Sequence, residues 1–163
     1  MLATECLEKS NYDKLIGVAY SVTDCQALME RILHRAGVDS PNWRGSNHMW
    51  RDALSEKMPI DKMVEKYGQI VPGCWLFTVK YEGGEKKRGY NDDEGNAAHV
   101  GWYLGNGKVI HSTSGGVQYD TVDSPRWSHA GLCRLLEYPE TLDTVEKNVD
   151  NLKQEIMQVL SKY

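Results

Sequence analysis

An α+β fold with an antiparallel sheet is predicted by three features of the sequence. Helix-type patterns and capping signals dominate the first seventy or so residues, short aromatic and β-branched runs follow, and a glycine turn joins two of those runs. The opening segment through Ala19 is expected to be helical, with Leu15, Ile16 and Val18 as its apolar residues. A clearer helix follows in "DCQALMERILHRAG". Asp24 is an N-cap by type, because its short carboxylate can accept backbone N–H groups that the first turn leaves unpaired. Ala27, Leu28, Ile32 (or Leu33) and Ala36 can share one inward face, and Gly37 supplies the stop. Next, "DSPNWRGSNHMWRD" mixes turn formers with aromatics and reads as an irregular loop leading into a short helix. "PIDKMVEKYG" reads as another short helix, ended by Gly68.

The strands come after "VPG". The run "CWLFTVKY" is dense in aromatic and β-branched residues, and "EGGEKKRGYNDDEGN" is a polar, glycine-rich loop. "AHVGWYLGNGKVIHSTS" reads as a hairpin turning at "GNG". "GVQYDTV" and "AGLCRLLEY" complete a sheet of about four to six strands, separated by the turn-like "DSPRW". Trp102 and Tyr103 are adjacent, so they face opposite sides of the sheet, one toward the core and one near a cleft.

From residue 140 the pattern changes. Leu142, Val145, Val149, Leu152, Ile156, Val159 and Tyr163 recur in alternating steps of three and four, a heptad seam flanked by Glu146, Lys153, Glu155 and Lys162. A helix over this stretch would run roughly 33 Å at ~1.5 Å per residue. The division expected is a domain over 1–139 and an amphipathic helix over 140–163. That helix either docks on its own domain, or serves as an oligomerising stalk through which the chain self-associates, or as a linker helix to a further domain.

Bulk properties exclude several classes. A net charge of −4, with no long basic run beyond the short "EKKRGY", gives no nucleic-acid footprint. No apolar stretch approaches membrane-spanning length. The start, "MLATECLEKSNYDKL", has neither a cationic head nor an apolar run, so no secretory signal is expected and synthesis is expected to be cytoplasmic. Cys6, Cys25, Cys74 and Cys133 are widely scattered, which suits thiols better than a disulfide framework. No Cys-x-x-Cys pair or close histidine pair is present, so neither a metal nor another cofactor is expected. "NDDEG" lacks the alternating ligands of a calcium loop and reads as solvated surface.

Cys25 directs the chemical reading. It stands at a helix N-terminus, where unpaired N–H groups favour negative charge by up to ~2 kcal/mol, or roughly 1.5 pKa units. That leaves a thiol about half ionised at best, so an imidazolium beside it is needed to complete the thiolate. His99 opens one hairpin strand and His111 lies on the other, so pairing can bring both rings to one face. One would act as base and the other would hold its tautomer and orientation. Cys74 and Cys133 fall in apolar runs and are expected in the core, while Cys6 is expected in a lightly packed segment. His34 lies across the helix from Cys25 and is expected to be solvated; His129 has no evident partner. His48 is a candidate either for a cleft lining or for a structural place, and Trp43, Trp50 and Arg51 of the same loop share both readings.

In that order, "DCQALMERILHRAG", "VPGCWLF" and "HVGWYLGNGKVIHS" resemble the NlpC family of papain-like cell-wall peptidases, over about Gly17 to Tyr138. "GVAYSVTDCQAL" and "GSNHMWRD" also resemble a subgroup common in prophages of Gram-positive bacteria, which implies a virion-associated protein or one released by lysis. The resemblance implies a papain-like fold with Cys25 as nucleophile, His99 as base and His111 as third member. It matches Tyr20 to the family's upstream tyrosine, whose hydroxyl would hold substrate or oxyanion beside the Cys25 N–H. Asp24, Gln26, His48, Trp50 and Arg51 are the further candidates for contact with substrate or oxyanion. The implied substrate is a peptidoglycan stem peptide, cut at γ-D-glutamyl to diamino acid.

Three departures concern specificity. Gln26-Ala27 stands where the family has Ser-Gly, Ala98 replaces a serine or similar residue, and Cys74-Trp75 occupies the Asp-Leu positions. Two rival readings remain beside the peptidase. One is an amidase or acyltransferase using the same three residues; the other is a non-catalytic structural or wall-binding module.

Overall fold

The computed structural model describes residues 1–81 and 92–163. "EKKRGY" and most of the glycine-rich loop lie outside the described residues. The opening segment is not the expected helix. It holds one helical turn, α1 (Ala3–Cys6), and two 3-10 turns, Lys9–Asn11 and Asp13–Leu15. Short polar side chains compete with the helix here: Asn11 Nδ2 donates to the Cys6 carbonyl at 3.0 Å, and Asp13 bonds the next backbone N–H. Cys6, expected to be loosely packed, is fully buried, because α1 is tied to Glu137 by backbone bonds at its edge.

Helix α2 (Cys25–Arg35) begins where its cap dictates, with Asp24 Oδ1 accepting the Ala27 N–H at 2.8 Å. Its buried stripe is Cys25, Leu28, Met29, Ile32 and Leu33. Met29 takes the inward place given above to Ala27, which stays half-buried with Ala36. Two further short helices follow, α3 (Ser46–Asp52) and α4 (Ile60–Tyr67), and Gly68 ends the latter with φ of 77°.

Among the described residues, six strands form one antiparallel sheet in the order β1-β6-β2-β3-β4-β5. They are β1 (Leu54–Pro59), β2 (Trp75–Lys80), β3 (Asn96–Gly105), β4 (Lys108–Thr113), β5 (Gly116–Thr121) and β6 (His129–Cys133). The sequence reading has no counterpart for β1. "LSEKMP" lies on an edge, where charged side chains are tolerated and deter further pairing, so it carries no alternating apolar signal. Helices α2 and α3 cover one face, packing on Trp75, Phe77, Val100, Trp102 and Ile110. Helix α4 covers the other, through Met63 and Tyr67 on Leu76, Ala130 and Leu132. Trp102 and Tyr103 do face opposite ways, but both are buried. Tyr103 sits in the second cluster, and its hydroxyl accepts the Gly107 N–H at 3.1 Å.

The β3–β4 hairpin turns through Asn106 and Gly107, both with positive φ, as a two-residue turn requires. Continued without interruption from Gly105↔Lys108, that turn would set Trp102 opposite His111. A bulge between Tyr103 and Gly105 shifts the register so that Gly101 pairs with His111 instead. Because side chains alternate faces, this one-residue shift moves His111 onto the face that carries His99.

The last helix, α5 (Leu142–Leu160), is capped by Thr141. Its apolar stripe is not buried on the domain, although the helix touches α4: Val145, Val149, Leu152, Ile156 and Val159 are 44–57% exposed.

Candidate active site

Three segments converge where β3 and β4 separate. Residues 17–18 bond to Val117 of β5, at 2.8 and 2.9 Å, and Ser112 Oγ donates to the Thr23 carbonyl at 2.5 Å. This pins the approach to α2 against the end of the sheet. A Cβ on Gly116 would stand 2.7 Å from the Val18 carbonyl oxygen, so that approach requires the glycine. The β3–β4 ladder stops at Gly101↔His111, and beyond it the Val100 N–H donates to the Cys25 sulfur. Cys25 therefore lies at the mouth of the hairpin, beside the residue that follows His99. The Gln26 N–H and the Tyr20 hydroxyl also lie close enough to favour its thiolate.

His99 Nε2 and His111 Nδ1 are 2.9 Å apart. Gly101 makes room for the pair: a Cβ there would lie 3.2 Å from His111 Cβ and 2.6 Å from the Trp127 ring. Trp127 stacks on His99, centroids 5.6 Å apart and planes 24° apart, and meets His111 edge-on. A cavity of about 350 Å³ opens beside His99, lined by Tyr20, His99, Ser112, Thr113, Ser114 and Arg126. Tyr20, which acts on the sulfur, and the first imidazole thus face one space.

The electrostatics correct the expected ion pair. Burial pushes the Cys25 thiol up, more than the N–H groups of Val100 and Gln26 and the Tyr20 hydroxyl pull it down, and the Asp24 carboxylate adds to the rise. Burial, then His111 and Arg126, lower His99 to about 4. The resting pair is a neutral thiol and a neutral imidazole. A helix N-terminus worth up to ~2 kcal/mol does not offset burial of the sulfur. Such a pair can still react, the imidazole accepting the thiol proton as the sulfur attacks.

The other predicted residues serve position rather than the cavity. Asp24 is occupied as the α2 cap. Gln26 Nε2 bonds Glu30, which also accepts from Ser40 Oγ and the Trp43 N–H. His48 Nδ1 accepts the Arg44 N–H at 3.1 Å. Trp50 is 2% exposed, donating to the Glu94 carbonyl and packing on Phe77 and His129. Arg51 pairs with Asp92 at 2.7 Å and donates to the Gly95 carbonyl, so this part of "NDDEG" is ion-paired; Asn91 lies outside the described residues. With Ser46 and Asn47, which bond the Ala97 backbone, these groups hold the start of the strand that carries His99. A buried Trp50 and a paired Arg51 present no recognition face, which overturns the cleft reading for both. His129 also has partners: Tyr81 Oη and Ser128 Oγ, each at 2.9 Å.

Sequence reasoning missed Arg126 and Trp127. Both lie in "DSPRW", taken as a plain turn; a tryptophan in a polar turn was the one available signal.

Comparison with known proteins agrees with this architecture. Residues 13–135 match the sequence model of the NlpC/P60 family. The probable endopeptidase p60 of Listeria welshimeri is 26% identical over 121 residues, as is that of Listeria monocytogenes serovar 1/2a. Each alignment takes in 70% of this chain but 18% and 20% of those proteins, so the chain spans about a fifth of these relatives' length. The crystal structure of the P60 domain from M. avium subspecies paratuberculosis antigen MAP1204 shares the fold, with a TM-score of 0.54 at 22% identity. That match covers 83% of this chain and 96% of that one.

Proposed function

The chain belongs to the NlpC/P60 family, and from that premise we propose that it is a cysteine endopeptidase of the cell wall. Its substrate is the peptidoglycan stem peptide and its bond is γ-D-glutamyl to diamino acid. One observation carries the reading: Tyr20, whose hydroxyl acts on the Cys25 sulfur, and His99, hydrogen-bonded to His111 behind it, line a single cavity. The thiol proton passes to His99 as the sulfur bonds the carbonyl carbon. The oxyanion is held by the Cys25 N–H at the start of α2 and by the Tyr20 hydroxyl. His99 then returns the proton to the leaving amine, and water hydrolyses the thioester to free acid and thiol. The resemblance to prophage proteins supports a phage or prophage origin.

Digestion of purified wall fragments followed by mass spectrometry tests the proposal. Pieces whose masses place the cut between D-glutamate and the diamino acid are expected. Masses assigning another amide or an ester would replace the peptidase with an amidase or acyltransferase. No release from any wall type would leave the non-catalytic reading.

We further propose that α5 pairs with α5 of a second copy in antiparallel sense. Setting Val149 beside Leu152 of the other copy also sets Val145 beside Ile156, and brings Glu146 across from Lys153 twice by symmetry. The exposed seam and this charge match support the pairing. Sedimentation over a range of concentrations should show a dimer that Leu152→Glu returns to monomer. A monomeric wild-type chain, or a dimer indifferent to that substitution, would overturn it.

A further inference from the structure

We infer that Arg126 is a positioning residue that sets which nitrogen of His99 carries the proton; the consequence for catalysis rests on the function proposed above. Arg126 Nη1 lies 3.3 Å from His111 Nδ1. A guanidinium has only donors, so its nearness favours a lone pair on that nitrogen and disfavours an N–H. The same Nδ1 stands 2.9 Å from His99 Nε2. If His111 Nδ1 accepts, His99 Nε2 must donate, and the neutral His99 ring then keeps its lone pair on Nδ1. That is the only His99 nitrogen left to accept a proton from a thiol. The cation therefore decides the direction of the histidine–histidine hydrogen bond.

The backbone of Arg126 is fixed, and its 42% exposed side chain is placed by Asp120 and Trp127. Its backbone carbonyl accepts from Thr78 Oγ1 at 2.9 Å, and the following turn is closed by the Trp127 N–H on the Ser124 carbonyl at 3.2 Å. Its Nε is 3.4 Å from Asp120 Oδ2 on β5, and its guanidinium lies over Trp127 at 5.9 Å. The opposite bond direction, with a proton on His111 Nδ1, would aim an N–H dipole at a cation held on this frame. Removing the cation makes that direction available, and the His99 proton would then shift to Nδ1.

The imidazole nitrogen shifts of ¹⁵N-labelled protein at pH 7 read this directly and need no substrate. His99 should carry its proton on Nε2 in the wild type and in Arg126→Lys, which keeps a donor-only cation. In Arg126→Met the Nδ1–H form should appear. A wild-type His99 protonated on Nδ1 would overturn the inference without any variant, as would an Arg126→Met spectrum unchanged from wild type. With an active protein, kcat should be kept in Arg126→Lys and fall in Arg126→Met, since a positioning cation acts through His99. Its acid limb should also move up. The charged groups acting on the pair are Asp120 and Arg126, with Tyr20 lining the same cavity as His99, and losing the cation removes one cause of the low His99 value of about 4. A tautomer as stated in a protein that cuts no wall would sink the peptidase and leave this inference standing.

Discussion

Cys25→Ala should lower the hydrolysis of wall fragments by ~10⁴-fold or more, the scale on which nucleophile removal acts in enzymes of this kind. Every covalent step of the proposed cycle passes through this sulfur, and the other thiols offer no substitute. Cys6, Cys74 and Cys133 are fully buried, and burial pushes Cys6 up to about 12 and Cys133 to about 11. The fold should survive the change. What is lost locally is the acceptor for the Val100 N–H, a cost of about 1–3 kcal/mol if nothing replaces it. Cys25→Ser restores an acceptor and separates the two effects: its denaturation midpoint should return toward wild type while hydrolysis stays low. Stopped assays on purified fragments, beside urea melts, would check both. An alanine variant working near the wild-type rate would remove the cysteine mechanism.

The largest stability effect is expected at Trp102→Ala, at about 3–5 kcal/mol. The ring is fully buried between α2 and the sheet, edge-on to Trp75 at 5.6 Å, and its Nε1 donates to the Gly73 carbonyl at 2.7 Å. That carbonyl keeps a second donor, Tyr138 Oη at 3.2 Å, so the cost is mainly the cavity and lost apolar contact. Against a total of roughly 5–15 kcal/mol, the loss would consume about a fifth or more of the stability of a typical domain. At about 2–4 °C per kcal/mol the melting temperature should drop by roughly 6–20 °C. By contrast, Val149→Ala on the exposed side of α5 should fall within ~0.5 kcal/mol for the isolated chain. Comparable losses at the two sites in urea melts of dilute protein would mean that Trp102 is not the keystone its burial implies.

Local signals were legible wherever one residue type has one use. Asp24 before an apolar helix is a cap, Asn-Gly between apolar runs is a tight turn, and Gly68 ends a helix; each stands where its chemistry put it. Strand β1 was illegible, because an edge strand may be polar throughout. The roles of Trp50 and Arg51 were misjudged for a related reason. Residue type alone does not tell a recognition surface from a brace, and here both groups brace the entry to β3.

By itself the sequence determined the kind of chemistry on offer: one cysteine at a helix start, two histidines on paired strands, and a heptad tail. Tertiary structure decided whether those parts meet and in what charge state. The bulge after Tyr103 turns His111 to the face of His99, a choice the turn residues alone would have made the other way. Burial, which no local pattern encodes, leaves thiol and imidazole neutral, because charge is costly where water is excluded. Arg126 reaches the histidine pair only through the folded turn that carries it.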